Sequence, residues 1–159
     1  ILERFLKAGV QAETALRILS SVMLLRGEED IACATVDLMC INLFTGDTQM
    51  FKYGASPSYV KKGKSVRRVK GESLAAGLGN AGAYAPDCTK VRLEAGSLAV
   101  IASDGVANGQ DDTWIADNIE GYEGRNAKEL ARSILDKAVE KYGCEDDMTV
   151  LSIAVENRN

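Results

Sequence analysis

Histidine is absent from these 159 residues, so imidazole cannot serve as a metal ligand anywhere in the chain. The four cysteines, Cys33, Cys40, Cys88 and Cys144, show no Cys-x-x-Cys spacing, and neither a zinc site nor a dithiol redox pair is indicated. Scattered through apolar segments, they are expected to be small core residues kept reduced in a cytoplasmic protein. No apolar run approaches the roughly 18 residues of a membrane-spanning helix, and the start does not resemble a signal peptide. Basic excess is also lacking. A net charge of −4 argues against nucleic acid as a partner, because binding a phosphate backbone needs a concentrated basic face. The one basic stretch, Lys61 to Arg68, reads as a hairpin with a solvated turn, the rival reading being a patch that guides a phosphorylated substrate.

What is present is a chain with 46% hydrophobic residues, long enough for one domain with a core. Residues 1–8 read as a helix closed by Gly9. Glu13 to Arg26 carries a helical stripe of Ala15, Leu16, Leu19, Val22 and Met23, stopped by Gly27. The period then changes. Residues 32–44 and 48–54 read as strands joined at Thr45-Gly46-Asp47, and residues 58–62 and 65–70 as a hairpin through Gly63. Residues 71–86 read as a loop, and 88–94 with 97–103 as a further strand pair. Asp111 to Ile119 is expected to form a short helix with Trp114 as a packing anchor. Asn126 with Glu129 caps a helix running to Lys141, whose buried face carries Leu130, Ile134, Leu135 and Ala138. This order suits a layered α+β domain.

Two segments carry the chemistry. Leu98 to Ala102 is an unbroken run of small and branched apolar residues followed by Ser103-Asp104-Gly105; Asp146-Asp147 stands ahead of the apolar run from Met148 to Ile153. If the two strands pair antiparallel, Asp104 and Asp146 meet at one rim of a sheet. Carboxylates without nitrogen or sulfur partners suit magnesium or manganese. The competing reading is an ordinary Asp-Gly turn and a solvated acidic loop.

The order Ala34-Thr35-Val36-Asp37-Leu38, Gly54 to Val60, Ser103 to Val106 and Asp146 to Val150 resembles the protein phosphatase 2C-type (PPM) family. Within it, the chain is most similar to the phosphatase of stage II sporulation protein E. The resemblance implies an antiparallel β-sandwich flanked by helices, α-β-β-α, and a metal-dependent phosphatase acting on phosphoserine or phosphothreonine. It implies Mn²⁺ or Mg²⁺ in a two-metal site, with Asp104, Asp146 and Gly105 as its metal-binding residues. Asp147, Asp37 and Asn108 are less favoured. Asn108 stands where relatives often have an acid that supports an additional metal. Asp37 is read first as a structural hydrogen-bonding group that shares a strand face with Thr35, and Ser56 as a turn former.

The family's upstream Asp-Gly-Met-Gly-type segment, whose aspartate bridges both metals, has no counterpart here. Residues 1–159 are therefore expected to be the C-terminal portion of one PPM-type domain, lacking its N-terminal strands, with an incomplete metal site. A second subunit in a homodimer could supply the missing ligand. The resemblance points to a phosphorylated protein substrate such as an anti-sigma-factor antagonist, and to a cytoplasmic domain without membrane contact of its own in a longer, membrane-anchored protein. The helix pair around Gly9-Val10-Gln11 is read as an ordinary helix-turn-helix, with a hinge that couples partners to metal-site assembly as the alternative. The alternative function is a non-catalytic regulatory or protein-binding module of the same fold.

Overall fold

Helical spacing of apolar residues gives way to alternation after residue 35, and the chain folds in that order. The structure is a computed structural model that describes residues 1–25, 32–78, 85–107 and 111–156. Helices α1 (Leu2–Lys7) and α2 (Ala12–Leu24) are followed by strands β1 (Val36–Ile41), β2 (Asp47–Tyr53), β3 (Ser58–Lys62), β4 (Ser65–Val69), β5 (Asp87–Arg92) and β6 (Leu98–Ala102). Then come α3 (Asp104–Ala107), α4 (Thr113–Gly121), α5 (Ala127–Tyr142) and β7 (Val150–Ala154). The class is α+β, with antiparallel sheets flanked by helices. Among the described residues, no helix is long and apolar enough to cross a membrane.

The chain divides into two compact units. The first, Ile1–Ala55 with Gly71–Val91, contains α1, α2 and the sheet β1-β2-β5. Leu16 of α2 packs with Phe51 and Tyr53 of β2. The exit from α1 is hydrogen-bonded: Gly9 takes φ +82°, its N–H donates to Leu6 O, and Val10 N donates to Phe5 O. Val22, expected on the buried stripe, is 42% exposed; Ser20 is buried instead, and its hydroxyl accepts from Gly77 N. Arg26 and Gly27, the expected end and stop of this helix, lie outside the described residues.

Leu43 and Phe44, expected to prolong the first strand, are 89% and 92% exposed in the β1–β2 turn. Asn42 ends the ladder there. Its side-chain oxygen accepts from Phe44 N and Thr45 N, offering the backbone partners that a strand cannot supply. Strand β5, expected to pair with the following strand, does not do so. It lies beside β2, whereas β6 lies between β3 and β7. Three of the cysteines are not core residues, Cys33, Cys88 and Cys144 being exposed, whereas Cys40 is half-buried and packs against the core of the first unit. Burial, then the neighbouring Cys88, holds the Cys40 thiol above its ordinary pKa.

The second unit, Ser56–Lys70 with Arg92–Asn159, contains the sheet β4-β3-β6-β7 and helices α3, α4 and α5. Its core joins Val100 of β6 to Ile115, Ile119, Leu130 and Ile134 of the helices, all fully buried. Each such side chain contributes about 1.5–3 kcal/mol. Asn126 caps α5 as its spacing predicts, its side-chain oxygen accepting from Lys128 N and Glu129 N. Trp114 is a half-buried anchor whose Nε1 donates to Tyr142 Oη at 3.2 Å.

The basic stretch forms the expected hairpin, but two of its cations are structural. Lys61 is 7% exposed, and its Nζ donates to Ile119 O, Glu120 O and Tyr122 O at the end of α4. Arg68 pairs at 2.7 Å with Asp112, the residue preceding α4. The hairpin therefore holds α4 at both ends.

Candidate metal centre

Strand β6 is an apolar run with no polar side chain, and it pairs antiparallel with β7 through Leu98↔Ala154, Val100↔Ser152 and Ala102↔Val150. One further step of the ladder is present beyond the named strands, where Ser103 N donates to Thr149 O at 3.0 Å. The register therefore brings the exit of β6, with Asp104, beside the entry of β7, with Asp146 and Asp147.

Gly105 makes the close approach possible. A Cβ at this position would stand 2.6 Å from Asp147 O and 3.4 Å from Asp146 Oδ2. The Asp146 carboxylate is thus packed against the Asp104-Gly105 step, where only a residue without a side chain fits. Asp104, Asp146 and Asp147 are all exposed. Both candidate ligands are bent back on the next amide: Asp104 Oδ1 accepts from Gly105 N at 3.2 Å, and Asp146 Oδ1 from Asp147 N at 2.8 Å. Among the described residues, no salt bridge joins either carboxylate to a basic side chain. The donors at this rim are carboxylate, carbonyl and hydroxyl oxygens, which suit a hard divalent cation. No group of three or more His, Cys, Asp or Glu side chains that could hold a metal ion forms among the described residues.

Asp37 belongs to the first unit. It stands directly opposite Lys52 in the β1–β2 ladder, and the two side chains form a buried ion pair at 2.5 Å. Burial lowers the pKa of Lys52 despite the opposing pull of Asp37. Thr35, read as sharing its strand face, is exposed just ahead of β1. Asn108 lies outside the described residues.

Sequence reasoning passed over Ser103, although its place one residue beyond a buried strand, opposite Thr149, follows from the β6–β7 register. It also missed the cluster of Tyr59, Arg68 and Asp112. Tyr59 Oη donates to Asp112 Oδ2 at 2.7 Å, and Arg68 Nε donates to the same oxygen at 2.8 Å. No local pattern announces a cluster assembled from β3, β4 and the start of α4.

Comparison with known proteins gives these features a family. The profile of the family described as Stage II sporulation protein E (SpoIIE) matches residues 1–156. Stage II sporulation protein E of Bacillus subtilis (strain 168) is 27% identical over 99% of this chain, and that of Priestia megaterium 27% identical over 95%. The chain spans 20% and 26% of the lengths of these two relatives. Among solved structures, one holds the PP2C phosphatase domain and a regulatory-domain fragment of the B. subtilis cell fate determinant SpoIIE. It superposes with a TM-score of 0.84 at 26% identity, over 98% of this chain and 48% of that one. The manganese-presoaked phosphatase domain of the same protein gives 0.72 at 26% identity, over 99% and 71%. The catalytic domain of the serine/threonine protein phosphatase PstP, in complex with 2 manganese ions, shares the fold at 16% identity, with a TM-score of 0.72 over 91% and 70%. Matched along almost its whole length and folded as these domains are, the chain belongs to the stage II sporulation protein E family and has the PPM phosphatase fold.

Proposed function

We propose that this chain is the C-terminal, metal-holding part of a protein phosphatase domain that hydrolyses phosphoserine or phosphothreonine on a regulatory protein. One observation carries the reading: Asp104 and Asp146, from the ends of two neighbouring strands, are packed to one rim across Gly105. Manganese bound in one similar structure and presoaked into another supports it. Asp104 and Asp146 would hold Mn²⁺ or Mg²⁺, and Asp147 shapes the loop. A pair of divalent ions supplies an activated water and offsets charge on the phosphoryl group. The chain's own part is to present two carboxylates and to keep a side chain away from the step between them.

A further acid completes the site in this reading, drawn from the longer protein or from a second copy in a homodimer. Asp37, whose carboxylate is engaged by Lys52, is not assigned to the metal. The family resemblance points to an anti-sigma-factor antagonist in its phosphorylated form as substrate. Four free cysteines support a reducing, cytoplasmic setting.

The test is Mn²⁺ binding by the chain, and Mn²⁺-dependent release of phosphate from a phosphoserine protein by the longer protein that supplies the further acid, each for wild type, Asp104→Ala and Asp146→Ala. Binding and release that are lost in both variants are expected. A folded chain that binds no Mn²⁺, or release unaffected by either substitution, overturns the reading.

A further inference from the structure

Ser103 uses its backbone and its side chain for different neighbours. Its carbonyl accepts from Val106 N at 3.1 Å, closing the turn that contains Asp104 and Gly105. That carbonyl has left the β6–β7 ladder. The hydroxyl takes its place: Thr149 N donates to Ser103 Oγ at 2.9 Å, and Ser103 Oγ donates to Asp147 O at 3.3 Å. The Asp147 carbonyl so held is the atom 2.6 Å from the position of a Cβ on Gly105. One residue therefore ties the Asp104 turn to the Asp146-Asp147 loop.

We propose that the Ser103 hydroxyl is a positioning group that sets the separation of Asp104 and Asp146. The proposal rests on the reading of these two aspartates as metal ligands and names the device that spaces them. Without the hydroxyl, the Thr149 amide has two options. It loses its partner, or it recovers the Ser103 carbonyl at the expense of the bond to Val106, which shifts the Asp104 turn. Either change alters the gap between the carboxylates. Threonine keeps the hydroxyl; valine matches threonine in shape without it.

The experiment is an amide-resolved NMR titration of this chain with Mn²⁺, using wild type, Ser103→Ala, and the matched pair Ser103→Thr and Ser103→Val. Amide exchange is recorded first without metal. We expect faster exchange at Thr149 in the alanine and valine variants. The Mn²⁺ concentration that broadens the Gly105 and Asp147 signals is expected to rise by about 10- to 100-fold, as when other groups that orient ligands are lost. Ser103→Thr is expected to behave as wild type. The Thr/Val comparison carries the test should the alanine variant fail to fold. A wild-type response that is unchanged in Ser103→Ala or Ser103→Val overturns the positioning role alone. No wild-type response at Gly105 and Asp147 overturns the metal reading, and this proposal with it.

Discussion

Tyr59 and Asp112, 53 positions apart in the chain, meet at 2.7 Å through a phenol hydroxyl donated to a buried carboxylate. Burial, and then this bond and the Asp112 charge, push the phenol pKa far above its ordinary value, with Arg68 opposing. The folded state therefore keeps the proton that the unfolded chain releases near pH 10. The resulting stability is fully present below that pH and is lost as pH climbs through the folded value. In chemical denaturation between pH 7 and pH 11, wild type is expected to lose stability above about pH 10. Tyr59→Phe is expected to lower stability at neutral pH by about 1 kcal/mol and to flatten the alkaline slope. An unchanged slope would assign it to another group.

Gly105→Ala places a Cβ against backbone rather than against a flexible side chain, 2.6 Å from Asp147 O. The Asp147 loop must move. The substitution is expected to cost about 1–3 kcal/mol, read from thermal unfolding, and to weaken Mn²⁺ binding at the rim. Binding that survives would show that the loop yields without disturbing the ligands.

Lys61→Met removes three hydrogen bonds to carbonyls at the end of α4 and leaves the Ile119 carbonyl in a buried setting, with those of Glu120 and Tyr122 partly buried. A loss of about 1.5–3 kcal/mol is expected, the range for hydrogen bonds to a charged group. Hydrogen exchange should rise first in the last turn of α4. A loss spread evenly over the unit would count against a local capping role.

Ser152→Ala is expected to act in the opposite direction. The Ser152 hydroxyl on β7 is buried without a hydrogen-bond partner among the described residues, in the row between Val150 and Ala154 that packs on the core. Removing an unsatisfied polar atom there is expected to leave stability unchanged or to raise it by about 1 kcal/mol. A clear drop in melting temperature would reveal a partner for the hydroxyl.

The rim was legible because a short apolar run ending in Asp-Gly and another beginning after Asp-Asp can place their acids together in only one pairing sense. Helix α5 was equally open to reading, since the Asn126 side chain accepts from the amides of Lys128 and Glu129. Where the reading failed, distant partners or a single side chain decided the outcome. Apolar residues continue past Ile41, and the Asn42 side chain helps divert Leu43 and Phe44 into a turn. Strand β5 is followed after a short turn by β6, yet each joins a different sheet, a choice made by long-range pairing. Lys61 and Arg68 looked like solvated charges because the α4 carbonyls and Asp112 that engage them lie more than 40 residues away.

The grip of the β3–β4 hairpin on both ends of α4 also bears on how this unit opens. Nine residues are too few for a helix to persist in water by itself. With Asp112 held at its start and the carbonyls of Ile119, Glu120 and Tyr122 held by Lys61, neither end is free to fray while the hairpin stands. Hairpin and helix thus form a single cooperative element in local unfolding. Protection of the α4 amides follows the hairpin's own lifetime rather than the intrinsic propensity of Thr113–Gly121.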